Sequence, residues 1–313
     1  MEILSTLFTM VLVVFVVSMM LAAGLSTTIA ALGRVFRRVW LVLLVLVVNF
    51  VLVPLLGWGI AELLALATPA FIGLVLIACS PGAPFGTKVA LMQRGDVVTA
   101  GALQVLMAAL GSVTFPFTAN WIISNAGLGA GVSLPVSRLV GTVVVLQLVP
   151  FVVGLAVRNW APQMAGGWLK ASAKVSSIAF FAVVTGALLG GWREIVDLVG
   201  SKALLGAIIL AVLAIVLGTF LALGNTKERT TVGLLAPMRN AGPVFAAIGI
   251  GFDNDPAILG AATALLLVMT VVGILFASFL ARRRPLPEDE PSPLPPAEEG
   301  VASVEPHVEN LEG

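Results

Sequence analysis

Residues 78–89 read Ala-Cys-Ser-Pro-Gly-Ala-Pro-Phe-Gly-Thr-Lys-Val, and they interrupt an apolar run that is long enough to cross a bilayer. The residues that interrupt it are two prolines and two glycines: Pro81, Gly82, Pro84 and Gly86. Proline removes a backbone donor and glycine loosens a helix, so a continuous helix is not expected here. In hydrocarbon the freed backbone groups need partners, which only surrounding protein or a water-filled cavity supplies. One cation, Lys88, follows the interruption.

A second stretch of the same kind occupies residues 235–243 and reads Leu-Ala-Pro-Met-Arg-Asn-Ala-Gly-Pro. Its helix-breaking residues are Pro237, Gly242 and Pro243, and its cation is Arg239. Two interrupted spans in corresponding positions of two halves indicate the midplane binding site of a carrier. The two stretches together therefore predict a membrane carrier.

The composition restricts the class of protein further. Of the 313 residues, 59% are hydrophobic and 11% are charged, whereas soluble domains carry about 25% charged residues. This indicates a polytopic helical protein in a lipid bilayer, and no nucleic-acid partner is predicted. The single cysteine, Cys79, excludes an internal disulfide and a cysteine-cluster metal site, and the single histidine, His307, lies in a polar tail. We therefore expect no metal and no cofactor.

Apolar runs of about twenty residues predict an all-α fold with nine transmembrane helices. The runs cover residues 3–25, 39–60, 69–92, 97–123, 136–157, 172–189, 203–223, 230–251 and 256–281. A tail of residues 285–313 follows, with eight acidic residues, neither Lys nor Arg, and frequent proline. We expect this tail to be disordered, which leaves residues 1–284 as the carrier domain.

The distribution of positive charge predicts the orientation in the membrane. With nine spans, twelve of the seventeen Lys and Arg residues fall on one side: Arg34, Arg37, Arg38, Arg94, Arg158, Lys170, Lys174, Lys227, Arg229, Arg282, Arg283 and Arg284. The opposite side has only Arg138, Arg193 and Lys202, together with acidic residues. The amino terminus is therefore expected outside and the carboxyl terminus in the cytoplasm, in an inner or plasma membrane.

Several short motifs carry a resemblance to a known family. They are Ala23-Gly24-Leu25, residues 49–54 (Asn-Phe-Val-Leu-Val-Pro), Ser80-Pro81-Gly82, Arg94-Gly95-Asp96 and Met238-Arg239-Asn240-Ala241-Gly242. In their order and spacing the chain resembles the bile acid:sodium symporter family. The resemblance implies inverted repeats, the first lacking its initial helix, and two broken helices that cross in a core domain. It also implies a panel domain at about residues 3–25 and 136–189, and a core at about 39–123 and 203–281 that moves against the panel in alternating access.

The positions at which the family binds sodium differ in this chain. By the resemblance, the replaced positions are Asn49, Gly86, Thr87, Ala100, Gln104, Leu235 and Arg239. Leu235 stands where the family has a glutamate, and Arg239 where it has a glutamine. A sodium ion needs a cage of oxygens, but here the carboxylate is replaced and two cations are added. Because like charges repel strongly in a low-dielectric site, sodium coupling of the family's kind is not expected.

Lys88 and Arg239 are the candidate binding groups, because an ionisable residue at membrane depth is by default a functional-site hypothesis. Lys88 could instead extend to the cytoplasmic interface, and Arg239 could bind carbonyls freed by Pro237 and Pro243. If the cations are functional, they replace the missing sodium ions, attract the substrate, or do both. Arg239 would hold a carboxylate or sulfonate with its fork, and Lys88 would act as a point charge. Either version predicts a small organic anion as the substrate.

The candidate polar partners at the crossing are Ser80, Thr87, Asn49, Gln104 and Asn240, and each could instead satisfy only the broken backbone. The leading hypothesis is a secondary carrier, independent of sodium or coupled to protons through Lys88. The alternatives are a sodium-coupled symporter with a rebuilt ion site and a non-transporting sensor on the same scaffold. An intramembrane enzyme is not expected, because Ser80 and Lys88 form the only conceivable nucleophile–base pair and are separated by the interruption. The substrate's identity and the oligomeric state stay open.

Overall fold

The computed structural model describes residues 2–83, 85–128, 132–190, 192–198 and 200–284, and helices dominate these ranges. The helices are α1 (Glu2–Leu25), α2 (Ile29–Phe36), α3 (Val39–Val47), α4 (Val53–Leu63), α5 (Thr68–Ala78), α6 (Phe85–Met92), α7 (Val97–Asn125), α8 (Val136–Val143), α9 (Val149–Trp160), α10 (Pro162–Gly190), α11 (Trp192–Leu198), α12 (Lys202–Leu221), α13 (Thr226–Leu235), α14 (Ala241–Gly251) and α15 (Pro256–Arg283). Two π-helical turns, Val48–Leu52 and Val144–Leu148, join α3 to α4 and α8 to α9. The predicted all-α fold is confirmed, while Pro84, His307 and the tail lie outside the described residues.

Within these ranges, seven continuous helical segments are long and apolar enough to cross a membrane. They are Thr6–Leu25, Val39–Leu63, Val97–Asn125, Val136–Trp160, Pro162–Gly186, Lys202–Leu221 and Pro256–Arg283. The other two predicted spans are interrupted, and each includes one shorter apolar helix, α5 or α14. The predicted count of nine crossings stays a prediction, because it requires both halves of each interrupted span to lie in the bilayer.

Two helices extend into segments that the sequence predicts as loops. α2 occupies the first basic loop, where the Thr28 hydroxyl caps it by accepting a hydrogen bond from Ala31 N over 3.1 Å. α10 begins at Pro162 rather than at residue 172, so Lys170 and Lys174, which the charge distribution assigned to a loop, both lie in its first half. Proline is well suited to the first position of a helix, and both lysines are exposed, so the extension buries no charge.

Basic residues from distant parts of the chain gather at one end of the bundle, which we call the basic end. Arg38 makes a two-point salt bridge with Glu228, with N–O distances of 3.0 and 2.9 Å. Arg94 donates to the carbonyl oxygen of Arg284 over 2.6 Å, and Arg284 donates to the carbonyl oxygen of Gln93 over 2.8 Å. Burial lowers the pKa of Arg284, so these hydrogen bonds offset a desolvation cost. The end of α15 is thereby fixed to the turn between α6 and α7.

α5 lies in the middle of the bundle. All residues from 70 to 78 are buried, and the helix packs against α4 and α15. The outside of the bundle carries large exposed apolar side chains, including Trp40, Phe181 and Phe220. An apolar exterior of this extent is expected of a surface that contacts lipid.

α1 packs along α9 and α10. The crossing of α1 with α9 depends on two glycines, because a Cβ on Gly24 would overlap Phe151 O and a Cβ on Gly154 would overlap Leu21 O. Small residues allow membrane helices to approach this closely. α1, α9 and α10 correspond to the predicted panel, and α5–α7 with α12–α15 to most of the predicted core. That division into two moving domains stays a prediction.

Candidate functional site

The first interruption separates α5, which ends at Ala78, from α6, which begins at Phe85. Between them Gly82 has a φ of +89°, a conformation that glycine adopts without the steric cost of a Cβ. A Cβ on Gly82 would also overlap the backbone of Ala108 in α7. The chain therefore passes through the interruption in direct contact with α7.

The second interruption separates α13, which ends at Leu235, from α14, which begins at Ala241. Asn240 caps α14, since its Oδ1 accepts a hydrogen bond from Gly242 N over 3.1 Å. The asparagine side chain is only 1% exposed. Its amide is therefore held in one orientation inside the protein.

Three of the predicted helix-breaking residues lie inside helices. Gly242 and Pro243 form the first turn of α14, and Gly86 is the second residue of α6. A proline in the first turn has no intrahelical hydrogen bond to lose, so Pro243 starts a helix rather than interrupting one. The interruptions themselves contain Pro81, Gly82 and Pro237.

The two interruptions run antiparallel and bond to each other. Asn240 N donates to Ser80 O over 2.8 Å, and the Ser80 hydroxyl donates to Asn240 O over 2.7 Å. An isolated antiparallel bridge pairs Pro81 with Arg239. The backbone groups that the broken helices cannot satisfy are thus paired across the crossing, as a low-dielectric interior requires.

Arg239 lies inside the crossing and is 3% exposed. Its Nη1 donates to Ala78 O over 3.3 Å, and its Nη2 donates to Asn49 Oδ1 over 3.2 Å. Ala78 is the last residue of α5, where carbonyls lack intrahelical donors and the helix dipole favours a cation. Among the described side chains no carboxylate pairs with Arg239, so its charge is held by neutral oxygens and a helix end.

Asn49 lies in the π-helical turn Val48–Leu52 and donates to Val45 O over 2.9 Å. That bond fixes the amide so that Oδ1 faces the guanidinium of Arg239. A proline follows this turn at Pro54, as Pro150 follows the turn Val144–Leu148. Both prolines belong to helices that widen ahead of them, a feature that occurs frequently at functional sites.

Lys88 lies on the opposite, exposed face of α6. The buried face of this helix is formed by Gly86, Val89 and Ala90. The Lys88 ammonium lies 5.9 Å from the centre of the Phe85 ring, within the range of a weak cation–π contact. The structure therefore does not bring Lys88 and Arg239 together as two inward-facing cations.

The other predicted polar residues divide between α6 and α7. Gly86 lies against Gln104, and a Cβ on Gly86 would overlap Gln104 Nε2 and lie 3.0 Å from the Leu235 side chain. Gln104 is 1% exposed, and neither atom of its amide has a partner within the described ranges. Thr87 is half-buried and faces Gly101. The amide of Gln104 and the apolar side chain of Leu235 thus lie beside Gly86, one of the positions at which the resemblance implies a sodium ligand.

Gln147 is a site residue that the sequence does not predict. It lies in the π-helical turn Val144–Leu148 and is 1% exposed. Its Oε1 accepts hydrogen bonds from Asn240 Nδ2 over 3.2 Å and from the Ser112 hydroxyl over 3.4 Å. Its Nε2 has no partner in the described part of the chain. A single glutamine in an apolar run, three residues before Pro150, was the available signal.

A pocket of about 250 Å³ opens beside this glutamine, between α1, α8 with its π-helical turn, and α14. Gln147 and Gly242 lie at its buried floor, and the exposed Arg138 and Asp253 lie at its mouth. Asp253 belongs to the loop between α14 and α15, away from the basic end. The pocket therefore leads from the opposite end of the bundle toward the crossing.

Apolar spans around two interrupted helices that pair through their backbones define a multi-pass membrane protein with a buried polar centre. The chain belongs to the Sodium Bile acid symporter family, whose sequence model matches residues 13–197. The predicted resemblance of the chain to this family is thereby confirmed. Groups of three or more His, Cys, Asp or Glu residues that could hold a metal ion do not occur among the residues described.

Three relatives carry names that describe transporters. The chain is 23% identical to a probable sodium/metabolite cotransporter, BASS2 (chloroplastic), of Oryza sativa subsp. japonica over 87% of this chain and 64% of that protein. It is 24% identical to the uncharacterized sodium-dependent transporter YocS of Bacillus subtilis over 58% of this chain and 54% of the relative. It is 26% identical to sodium/bile acid cotransporter 5 of Rattus norvegicus over 46% of this chain and 33% of the relative. The chain thus spans less than two thirds of the length of each relative.

Proposed function

We propose that this protein is a secondary transporter that moves a small organic anion across a membrane by alternating access and independently of sodium, with Arg239 in the place of a bound ion. Membership of the Sodium Bile acid symporter family and the transporter names of the relatives support the general class. In this proposal α1, α9 and α10 are the panel, and the crossing belongs to the core that moves against it. The basic end faces the cytoplasm, as the positive charge favours.

The observation that carries the proposal is the buried guanidinium of Arg239, which donates to Ala78 O and Asn49 Oδ1. These oxygens are neutral ligands of the kind that a sodium ion would take, and the guanidinium already occupies them. A second cation within about 4 Å would meet a repulsion of about 4 kcal/mol at an effective dielectric constant of 20. The covalently attached guanidinium thus stabilises the crossing as a bound ion would. Because it is not transported, it cannot couple transport to an ion gradient.

The same charge favours an anionic substrate. Within the described ranges Arg239 has no carboxylate partner, so its positive field at the crossing is only partly offset by the end of α5. A substrate that carries a carboxylate or sulfonate and binds beside the crossing would lower the free energy of that charge. The exposed Lys88 can attract anions to the surface of α6, but proton coupling through Lys88 required a desolvated ammonium and is not proposed.

The test is uptake of labelled carboxylates and sulfonates into proteoliposomes in sodium chloride and in choline chloride. For the native protein we expect uptake rates that agree within about twofold between the two salts. For Arg239→Gln we expect at least a tenfold loss in choline and partial recovery in sodium, because the freed oxygens of Ala78 and Asn49 become available to the ion. Arg37→Gln removes an exposed cation and is the matched control.

Two results would reject the proposal. Uptake by the native protein that requires sodium would show that an ion site exists elsewhere. Unchanged uptake in Arg239→Gln would show that the guanidinium has only a structural role, as the bond to the freed Ala78 carbonyl alone would allow.

A sodium symporter with a rebuilt ion site is the second candidate, and one observation favours it. Gln104 Oε1 is a buried acceptor without a partner in the described chain, and Thr87 lies on the adjacent turn of α6. If these oxygens bind sodium, Gln104→Leu removes the sodium dependence of uptake. In the leading proposal the same substitution leaves the ratio of uptake in the two salts unchanged.

A further inference from the structure

The pocket beside Gln147 is the strongest unassigned feature of the structure. We propose that it binds the anionic group of the transported solute, with Gln147 Nε2 as the hydrogen-bond donor and a compact carboxylate or sulfonate as the ligand. This inference rests on the proposed transport function and assigns a binding residue to it. Gln147 is not among the site residues predicted from the sequence.

Hydrogen bonds determine which atom of the Gln147 amide is free. Gly242 N donates to Asn240 Oδ1, so the other atom of the Asn240 amide must be the Nδ2 donor. That donor lies 3.2 Å from Gln147, so the nearer atom of the glutamine amide must be its Oε1 acceptor. Nε2 is therefore the atom left without a partner among the described groups. The assignment follows from a chain of backbone-anchored bonds.

The free donor adjoins the pocket. A Cβ built on Gly242, which lines the pocket, would lie 3.3 Å from Gln147 Nε2 and 3.1 Å from Val16 of α1. Glycine at this position thus keeps the space in front of the amide open. A buried donor without a partner costs about 1–3 kcal/mol. An oxygen of a ligand at the pocket floor would remove that cost.

The electrostatics of the floor select an anion. Gly242 belongs to the first turn of α14, where the helix dipole is positive. Arg239 precedes Asn240 and adds a buried positive charge at the crossing, although its side chain does not line the pocket. At the mouth, Arg138 and Asp253 carry opposite charges and largely offset each other. The sign preference of the pocket is therefore set at its floor.

The volume restricts the size of the ligand. About 250 Å³ lies below the range of about 300–1,000 Å³ that is typical of ligand pockets. Short carboxylates and sulfonates fit such a space, whereas a steroid acid does not. The walls contributed by Leu12, Leu146 and Phe245 are apolar and suit a short hydrocarbon portion behind the charged group.

The test measures ligand-induced thermal stabilisation of the purified full chain and the uptake KM, with acetate, lactate, benzoate and methanesulfonate as probes and cholate as the bulky comparison. Gln147→Glu keeps the acceptor for Asn240 and replaces the free donor by a negative oxygen. We expect it to raise KM at least tenfold and to abolish the stabilisation by the small anions. Gln93→Glu is the control, because Gln93 is equally buried, lies at the basic end and does not line the pocket.

A second variant tests the pocket without altering the hydrogen bonds. Ala246 lines the pocket from α14 and is half-buried, so Ala246→Phe fills the space and leaves the crossing intact. We expect the same loss of stabilisation and a raised KM, with the melting midpoint without ligand close to that of the native protein. If Gln147→Glu fails to fold, the KM and the ligand-induced stabilisation of Ala246→Phe alone test the inference.

The outcomes separate this inference from the transport function. If the native protein transports anions and both pocket variants keep the native KM and stabilisation, the inference is wrong and the proposed function stands. If Gln93→Glu produces the same loss as Gln147→Glu, the effect is that of any buried charge, and the inference is again wrong. If the native protein transports none of the probes, the proposed function fails, and pocket-dependent thermal stabilisation would still support the binding site.

Discussion

Replacing Gly82 by alanine tests how strictly the first interruption is constrained. Gly82 combines a φ of +89° with a backbone contact, since its Cβ would overlap Ala108 of α7. The left-handed conformation costs a non-glycine residue about 1–2 kcal/mol. Overpacking against a backbone that cannot rotate away adds about 1–3 kcal/mol. We therefore expect Gly82→Ala to lower the free energy of unfolding by about 2–5 kcal/mol.

Two other glycines separate the contributions. Gly127 has a φ of +65° with no atom of the described residues within 4 Å of its Cβ position, so Gly127→Ala carries only the conformational cost of about 1–2 kcal/mol. Gly33 lies in α2, likewise with no atom within 4 Å, and Gly33→Ala should gain about 0.5–1 kcal/mol from helix propensity. From the most to the least stable, the expected order is Gly33→Ala, the native protein, Gly127→Ala and Gly82→Ala.

Cys79 supplies the assay. It is the only cysteine of the chain, is 2% exposed, and lies at the same interruption. A maleimide dye that fluoresces on reaction with a thiol will report the temperature at which Cys79 becomes accessible in detergent. We expect faster labelling below the melting midpoint in Gly82→Ala only, because local opening exposes the neighbouring thiol. A midpoint and labelling rate equal to those of Gly127→Ala would show that the contact with α7 does not constrain the crossing.

Further contacts give two more predictions. Ser80→Ala removes the buried hydrogen bond to Asn240 O, and we expect the free energy of unfolding to fall by about 1–3 kcal/mol in the same denaturation assay. Ser278→Ala is the control, because it removes only a bond within its own helix, to Ile274 O. Equal effects of the two substitutions would show that the bond across the crossing adds no stability. The Arg38–Glu228 salt bridge has two hydrogen bonds, but the two side chains are 35% and 22% exposed. A double-mutant cycle with alanine should therefore give a coupling free energy of about 0.5–1 kcal/mol that decreases in high salt. A coupling free energy that does not change with salt would contradict this prediction.

Sequence patterns predict this structure best where backbone chemistry decides the outcome. Pro81, Gly82 and Pro237 predict interruptions, and the structure has both interruptions there, because missing donors and left-handed conformations act locally. The gathering of Arg38, Arg94 and other cations at one end follows from the spacing of apolar runs alone. Pro243 was predicted to break a helix but lies in the first turn of α14, because proline can both end and begin helices.

The positions of Lys88 and Arg239 could not be derived in this way. Both cations follow a proline in an apolar run, so the sequence predicts both equally as binding groups at the crossing. Their difference depends on the helix face: Lys88 lies opposite the buried Gly86 on α6, whereas Arg239 precedes the cap of α14 and is enclosed by the end of α5. The face that packs inward is set by neighbouring helices, which local patterns do not specify. Arg239 does bind a freed carbonyl, but that carbonyl is Ala78 O at the end of α5, and not one freed by Pro237 or Pro243 as the alternative named.

Gln147 was missed because its partners are distant in sequence. Nothing near residue 147 indicates that a proline-associated π-helical turn will place its amide beside Asn240. Asn49 occupies the corresponding place in the first half, in a turn that precedes Pro54. A comparison of the two halves for a lone amide ahead of a proline would have found both residues, at spacings of five and three.

The two amides hold consecutive residues of the second interruption, and this has a consequence for the proposed motion. Asn49 accepts from Arg239 and lies in the proposed core, so that charge-assisted bond stays intact when the domains move. Gln147 accepts from Asn240 and lies between α8 and α9, so its neutral bond spans the proposed boundary. A neutral hydrogen bond contributes about 0.5–1.5 kcal/mol, which is small enough to be exchanged in each cycle. In the proposed motion the stronger contact keeps the crossing rigid, while the weaker one can break and form again as the domains move.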